Sequence, residues 1–204
     1  MIKRYFIKLK LLLGLLIAFS SCAVQKDVQH FMNAKYLTDL NGNKTSVLQN
    51  IRSENRDKPF VLIFLSAECP ISQKYAPILR GMQEQSPKVK FIVVFTKWDK
   101  TESIKSYLSE YPLLTDTKYP ITVLKDKKNG LIQAIDAKIT PEAFLFNKDG
   151  VLKYRGAIDN WFYALGKYRP EASENYLKDA IDSILKNEPI KIKQTDAIGC
   201  IIEK

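Results

Sequence analysis

The sequence has little of what a metal enzyme or a permanently embedded membrane protein needs. It contains one histidine, His30, so no second imidazole is present to build a histidine-based metal site. Its uncharged apolar run at residues 11–19 has about half of the roughly 20 residues that a membrane-spanning helix requires. We therefore predict no bound metal, no cofactor and no permanent spanning helix.

Nucleic-acid binding is also disfavoured, because the positive charge is moderate and dispersed. The chain carries a net charge of +10 at pH 7, and removal of residues 1–21 would lower it to +6. The lysines occur in short groups typical of solvated turns, not in a basic stripe interleaved with aromatic side chains. With 204 residues, 46% of them apolar, the chain is long enough for one domain with a substantial core.

The N-terminus has the features of a bacterial export signal: four basic residues, an apolar run and small residues before Cys22. Residues 19–22, Phe-Ser-Ser-Cys, resemble the lipobox of bacterial lipoproteins, in which cleavage precedes a lipid-bearing cysteine; Phe19 stands where Leu is commoner. The resemblance implies that residues 1–21 are removed and that lipid on Cys22 anchors the exported protein at the periplasmic face of the cell envelope. The outer membrane is preferred, because Ala23 gives no inner-membrane retention signal. A secretory signal with a chance cysteine is the alternative.

The remaining chain divides into a polar tether at residues 22–34, one domain at residues 35–190 and a tail at residues 191–204 that carries Cys200. Hydrophobic periodicity predicts strands at residues 35–40, 60–65 and 89–95, and helices at residues 45–52, 70–85, 101–111 and 172–185. A hairpin is predicted at residues 143–155, and the aromatic segment after Asn160 is predicted to be a loop or a short helix. Alternating strands and helices indicate an α/β fold with a parallel unit.

Cys69 is the candidate reactive residue. It follows a buried strand and precedes Pro70, which is predicted to lie in the first turn of a helix. Unpaired N–H groups and the helix dipole at such a junction stabilise an anion and lower the pKa of a cysteine thiol, although Glu68 opposes this effect. The alternative is that Cys69 is a small buried hydrophobic residue.

Two segments resemble a known family. The run from Phe64 to Ser72 resembles the active-site loop of thioredoxin-like and redoxin (AhpC/TSA-like) proteins, with Cys69 at its first cysteine, and Thr140-Pro141 resembles their cis-proline loop. The resemblance covers about residues 35–190. It implies a thioredoxin-like fold, with a central mixed β-sheet flanked by helices and an N-terminal β-hairpin extension. It also implies that Thr140 and Pro141 lie against Cys69 and pair with substrate backbone.

The second cysteine of the family's CxxC motif is replaced by Ser72, which cannot resolve a mixed disulfide on Cys69. Ser72 is predicted either to donate a hydrogen bond to the Cys69 thiolate or to be only a residue of the first helical turn. The tail segment Ala197-Ile198-Gly199-Cys200 resembles the ending of secreted redoxin-like proteins that combine a CPxS loop with a C-terminal Gly-Cys. This implies Cys200 as a resolving cysteine. The two cysteines could form a redox couple or a structural staple, or both thiols could stay free.

These features lead to three functional hypotheses. In the first, the protein is a thiol-disulfide oxidoreductase that acts on protein or small-molecule disulfides through Cys69, with an external thiol reductant. In the second, it is a thiol peroxidase, with Ser66 and Arg155 as candidates to orient peroxide and Cys200 condensing with a Cys69 sulfenic acid. In the third, it is a non-catalytic binding lipoprotein or a Cu(I) carrier, since thiolates are suitable soft ligands.

Overall fold

The computed structural model describes residues 37–52, 58–111 and 121–203. The predicted signal peptide, the tether and the predicted lipid attachment at Cys22 lie outside these residues. None of the helices in this part of the chain is long and apolar enough to cross a membrane.

The described chain forms one mixed sheet and two small pairs of strands. The strands are β1 (Leu37–Thr38), β2 (Lys44–Thr45), β3 (Phe60–Leu65), β4 (Lys90–Phe95), β5 (Thr122–Asp126), β6 (Ile139–Thr140), β7 (Glu142–Phe146), β8 (Leu152–Gly156), β9 (Phe162–Ala164), β10 (Lys167–Tyr168) and β11 (Cys200–Ile201). The order across the main sheet is β2-β1-β5-β4-β3-β7-β8. Strands β3, β4 and β5 are parallel, whereas β1, β7 and β8 pair antiparallel with their neighbours.

Helices cover both faces of this sheet. They are α1 (Val47–Arg52), α2 (Pro70–Gln85), α3 (Thr101–Glu110), α4 (Gly130–Ala134) and α5 (Tyr176–Lys186). Helices α2, α3 and α5 contribute to one hydrophobic cluster, and α1 and α4 contribute to a second cluster on the opposite face. The expected mixed sheet, flanking helices and N-terminal hairpin β1-β2 are confirmed.

The centre of the sheet follows directly from the sequence. Strands β3 and β4 are fully buried along their length, which agrees with their continuous apolar and β-branched composition. Successive side chains of β3 point to opposite faces, so Val61 and Ile63 contact the α2 side while Leu62 and Phe64 contact the α4 side. Helix α2 begins at Pro70. Proline fits this position because an N–H in the first helical turn would have no partner within the helix, and the ring of proline already has a helical φ.

Two expectations about the C-terminal third were wrong. The aromatic segment after Asn160 is neither a loop nor a helix but the hairpin of β9 and β10. The last helix begins at Tyr176 instead of residue 172, because the Asn160 side chain accepts hydrogen bonds from the Ser173 and Glu174 N–H groups at 2.9 and 3.1 Å. These bonds hold that segment in a non-helical conformation.

Candidate active site

Cys69 lies where β3 passes into α2. It occupies the N-cap position of the helix, and its N–H donates to the Ser66 carbonyl at 3.2 Å. The side chain is 2% exposed, and the thiol donates to the Thr140 carbonyl, with 3.2 Å between sulfur and oxygen. Cys69 is therefore buried, but its sulfur contacts the polar backbone of Thr140.

Those polar groups make the Cys69 thiol more acidic than a free cysteine. Burial alone would raise its pKa, but hydrogen bonds from the Cys200 thiol and from the Ser72 N–H and hydroxyl outweigh that effect and lower the pKa. The fully buried Ser72 hydroxyl also accepts a hydrogen bond from the Ser66 N–H at 3.3 Å. Ser72 is thus both a residue of the first helical turn and a hydrogen-bond donor to the sulfur.

The C-terminal tail brings Cys200 to Cys69. Strand β11 pairs antiparallel with β6, so that Cys200 lies opposite Thr140. The Thr140 hydroxyl donates to the Cys200 carbonyl at 3.4 Å, and the Ile202 N–H donates to the Lys138 carbonyl at 2.8 Å. The Thr140-Pro141 peptide bond is cis, as the resemblance implied. The tail therefore occupies the edge of β6 that the resemblance assigns to substrate backbone.

Both cysteines are free thiols, and they differ in burial and acidity. Cys200 is only half-buried, whereas Cys69 is almost fully covered. Burial, the hydrogen bond to Cys69 and the charge on the Cys69 thiolate raise the pKa of Cys200 to about 12. Of the two thiols, Cys69 is therefore the one that ionises more readily, and Cys200 is the one that holds its proton more tightly.

Asp99, which the sequence reasoning missed, holds the Cys69 loop in place. Its side chain is 2% exposed, and one carboxylate oxygen accepts hydrogen bonds from the Ser66 hydroxyl at 2.9 Å and the Ala67 N–H at 2.7 Å. The other oxygen accepts from the Thr96 N–H and hydroxyl at 3.0 and 2.8 Å. The available signal was the position of Asp99 just after β4, because the ends of neighbouring parallel strands β3 and β4 lie at the same edge of the sheet.

The residues considered for peroxide binding are engaged elsewhere. The Ser66 hydroxyl donates to Asp99. One guanidinium nitrogen of Arg155 donates to Glu142 at 3.1 Å and to the Asp136 carbonyl at 3.0 Å, and the group lies over the Phe144 ring. Phe144 belongs to the hydrophobic cluster on the face opposite Cys69. Neither side chain is directed to the Cys69 sulfur.

The aromatic hairpin flanks the site. Trp161 and Phe162 pack on Tyr75 with ring centroids 5.8 and 5.9 Å apart, and the Tyr75 hydroxyl donates to buried Asp159 at 2.5 Å. Phe162 also lines a small crevice together with Pro141 and Ile198 of the tail. The hairpin thus borders the cis-proline loop.

No group of three or more histidine, cysteine, aspartate or glutamate residues is arranged to hold a metal ion within residues 37–52, 58–111 and 121–203. The two sulfurs are the only cysteine ligands that this part of the chain brings together. Their arrangement is suited to forming and breaking one disulfide bond, which needs one acidic thiol and one neighbouring thiol.

Residues 25–155 match the AhpC/TSA family. A hypothetical protein from Sinorhizobium meliloti 1021 has a similar structure, with a TM-score of 0.61 and 22% identity over 84% of this chain and 91% of that one. For an uncharacterized conserved protein from Geobacillus kaustophilus, the TM-score is 0.61 and the identity is 22%, over 85% of this chain and 92% of that one. For a thioredoxin-like protein from Aeropyrum pernix, the TM-score is 0.52 and the identity is 14%, over 83% of this chain and 99% of that one. No curated protein matches the chain. Since the family match covers more than half of the sequence and the architecture is thioredoxin-like, the chain belongs to the AhpC/TSA family.

Proposed function

We propose that this protein is a thiol-disulfide oxidoreductase in which Cys69 is the nucleophile and Cys200 the resolving cysteine. The observation that carries the proposal is the pairing of β11 with β6, which places Cys200 opposite Thr140, the residue whose carbonyl accepts the hydrogen bond of the Cys69 thiol at 3.2 Å. Ser72 replaces the usual second cysteine, so a distant thiol is needed to resolve an adduct on Cys69. Cys200 supplies a thiol at that point.

In the first step, the Cys69 thiolate attacks one sulfur of a substrate disulfide. A bond forms between Cys69 and that sulfur, the substrate disulfide breaks, and its other sulfur leaves as a thiolate. The reaction needs Cys69 to be ionised, and the donors from Ser72 and Cys200 favour the ionised form by lowering its pKa. Because Cys69 is 2% exposed, the two-residue strand β11 has to lift from β6 before a substrate disulfide can reach it.

In the second step, Cys200 attacks Cys69, and the substrate's remaining sulfur leaves as a thiolate. The pKa of Cys200 is raised by burial and by the hydrogen bond to and the charge on Cys69. Once Cys69 is bonded to the substrate, it no longer carries that charge, and one cause of the raised pKa disappears. Cys200 therefore becomes easier to ionise at the stage where it has to react.

An external thiol reductant restores the two thiols. Its thiolate attacks the Cys200 sulfur of the Cys69–Cys200 disulfide, the disulfide breaks and Cys69 leaves as a thiolate. A second thiol of the reductant then displaces Cys200. Attack at Cys200 is favoured because Cys200 is the more exposed sulfur and because Cys69, with the lower pKa, is the better leaving group.

A thiol peroxidase is the competing enzyme class. Peroxide cleavage would also place an oxidised Cys69 beside Cys200, which could condense with it. The engagement of Ser66 with Asp99 and of Arg155 with Glu142 favours disulfide exchange, because these side chains are not free to orient a peroxide at Cys69. Peroxide is therefore a second oxidant in the experiment below.

The proposed location is the cell envelope, with the domain exported and anchored by lipid on Cys22. The support is the sequence of residues 1–22 alone: basic residues, an apolar run and the Phe-Ser-Ser-Cys segment. Replacement of Cys22 by Ser should move the protein from the membrane fraction to the soluble fraction. An unchanged membrane fraction would contradict lipid anchoring.

The test of the redox function compares wild type with the Cys69→Ser and Cys200→Ser variants during reduction of a peptide disulfide. We expect Cys69→Ser to lose activity and to form no adduct. Cys200→Ser should accumulate a mixed disulfide between Cys69 and the peptide, because the resolving thiol is missing. Peptide mapping of the oxidised wild type should find a bond between Cys69 and Cys200.

The same samples separate the alternatives. Full activity of Cys69→Ser would contradict the proposal. Faster oxidation of Cys69 by peroxide than by the peptide disulfide would favour a peroxidase. A Cys69–Cys200 bond with a potential below about −300 mV would behave as a structural staple, because such bonds resist reduction by cellular thiols.

A further inference from the structure

One buried asparagine connects the end of the tail to the loop that supports Cys69. Asn129 is 0% exposed, and its backbone has φ of 53°, a conformation that asparagine adopts more readily than most residues. Its amide nitrogen donates to the Glu203 carbonyl at 3.1 Å. Its amide oxygen accepts from the Lys97 N–H, also at 3.1 Å. The side chain therefore bridges the tail and the segment that follows β4.

The Glu203 carbonyl receives a second hydrogen bond from the same segment. The indole N–H of Trp98 donates to it at 3.1 Å, while the Trp98 ring is 57% exposed and lies under the Lys97 ammonium group. Two side-chain donors thus converge on one backbone oxygen, three residues beyond Cys200. One donor is buried and the other is at the surface, so each can be removed without removing the other.

Residues 96–99 are a common attachment for both cysteine-bearing segments. Asp99 accepts hydrogen bonds from Ser66 and Ala67, and so fixes the loop that carries Cys69. Lys97, through Asn129, and Trp98 fix the end of the tail that carries Cys200. Both cysteine-bearing segments are therefore held by the same short segment, residues 96–99, which helps to set the distance between the two sulfurs.

We infer that Asn129, assisted by Trp98, is the positioning residue that holds Cys200 at Cys69. This inference rests on the proposed function and adds to it the group that sets the effective concentration of the resolving thiol. Strand β11 has only two residues, so its pairing with β6 can open easily. The hydrogen bonds to the Glu203 carbonyl oppose this opening. Without these hydrogen bonds, the tail spends more time away from β6, and the equilibrium constant for forming the Cys69–Cys200 disulfide falls.

The experiment titrates the Cys69–Cys200 couple against glutathione in the full-length protein. Asn129→Asp is the sharpest variant, because the carboxylate still accepts from the Lys97 N–H but offers no donor to the Glu203 carbonyl. Trp98→Phe removes the other donor and leaves Asn129 in place. Asn187→Asp is the matched control, since Asn187 has φ of 57° but is an exposed residue at the end of α5.

We expect each single variant to lower the equilibrium constant for disulfide formation by about threefold, and the double variant to lower it by at least about tenfold, or about 30 mV. Asn187→Asp should leave it unchanged. A purely structural role of Asn129 would lower thermal stability without moving this constant. Equal constants in wild type and the double variant would overturn the inference while leaving the proposed function intact.

The alkylation rate of Cys69 is the second measurement. Cys69 is 2% exposed and its sulfur contacts Thr140, the residue that faces Cys200 of the tail. Release of the tail should therefore expose this sulfur, and we expect the double variant to react about tenfold faster than wild type or Asn187→Asp. If the wild type forms no Cys69–Cys200 disulfide, the proposed function fails, and the alkylation rates alone decide whether Asn129 and Trp98 hold the tail. If Asn129→Asp does not fold, Trp98→Phe at the surface carries both measurements, and an unchanged alkylation rate there overturns the inference.

Discussion

At the level of single residues, the two cysteines differ in acidity because of their burial and of the hydrogen bonds around them. A thiol that donates a hydrogen bond to a neighbouring sulfur stabilises the thiolate of its partner and becomes less acidic itself. Cys69 receives donors from Ser72 and Cys200, and its pKa is lowered despite burial. Burial raises the pKa of Cys200, and its position as the donor of the pair and the charge on Cys69 raise it further, to about 12. The proposed roles of nucleophile for Cys69 and resolving thiol for Cys200 agree with this asymmetry.

The pH dependence of Cys69 should therefore respond to the residue at position 200. Cys200→Ala removes a donor to the thiolate, so the pKa of Cys69 should rise and the midpoint of its alkylation rate should move to higher pH. Cys200→Ser keeps a hydroxyl donor and should produce a smaller shift. Mass mapping of alkylated Cys69 across the pH range measures both. A midpoint that stays in place or moves to lower pH in Cys200→Ala would show that the two sulfurs do not interact.

Much of the site near Cys69 could be predicted, because it depends on local chain order. Strand β3, Cys69 and Pro70 are consecutive, so the position of a thiol at a helix N-terminus can be inferred from the sequence alone. The resemblance implied the cis bond at Thr140-Pro141 and the possible partner Cys200. Local chain order does not reveal the partners of Asp99 and Asn129, because each acts on residues about 30 or more positions away through contacts that only the fold creates; for Asp99, the position just after β4 was the one signal.

At the scale of elements, the tail is a strand whose docking depends on close backbone approach. An added Cβ at Gly199 would lie 2.1 Å from the Thr140 carbonyl oxygen and 2.7 Å from its carbon. These are backbone atoms of β6, which cannot rotate away as a flexible side chain could. The pairing of β11 with β6 thus requires glycine at position 199, for which hydrophobic periodicity gives no signal.

Gly199→Ala should separate β11 from β6. We expect the Cys69 alkylation rate to rise about tenfold and the Cys69–Cys200 disulfide to form more slowly, at a cost in stability of about 1–3 kcal/mol for the overpacked contact. Gly81→Ala in α2 is the control, because its added Cβ meets no atom within 4 Å and helix interiors favour Ala over Gly. Wild-type alkylation and oxidation rates in Gly199→Ala would refute the close approach of the two strands.

At the scale of the whole molecule, the Cys69–Cys200 bond would join two distant parts of the chain that the fold has already brought together. In the folded protein both free thiols lie beside Thr140, so oxidation requires little rearrangement of the native state. In the unfolded state, the same bond would close a loop that contains most of the domain. Its stabilising effect is therefore exerted mainly through the entropy of the unfolded chain.

The oxidised protein should accordingly be more stable than the reduced protein. Loop-closure entropy gives about 4–5 kcal/mol for a loop of this length. For a domain of this size, each kcal/mol raises the Tm by about 2–4 °C, so the expected difference is roughly 8–20 °C. Thermal unfolding of wild type with and without reductant measures it, and Cys200→Ser under both conditions corrects for direct effects of the reductant. If the oxidised form unfolds at the same or a lower temperature, the bond strains the native tail. Because the folding free energy and the redox equilibrium are linked, that strain would also make the disulfide easier to reduce.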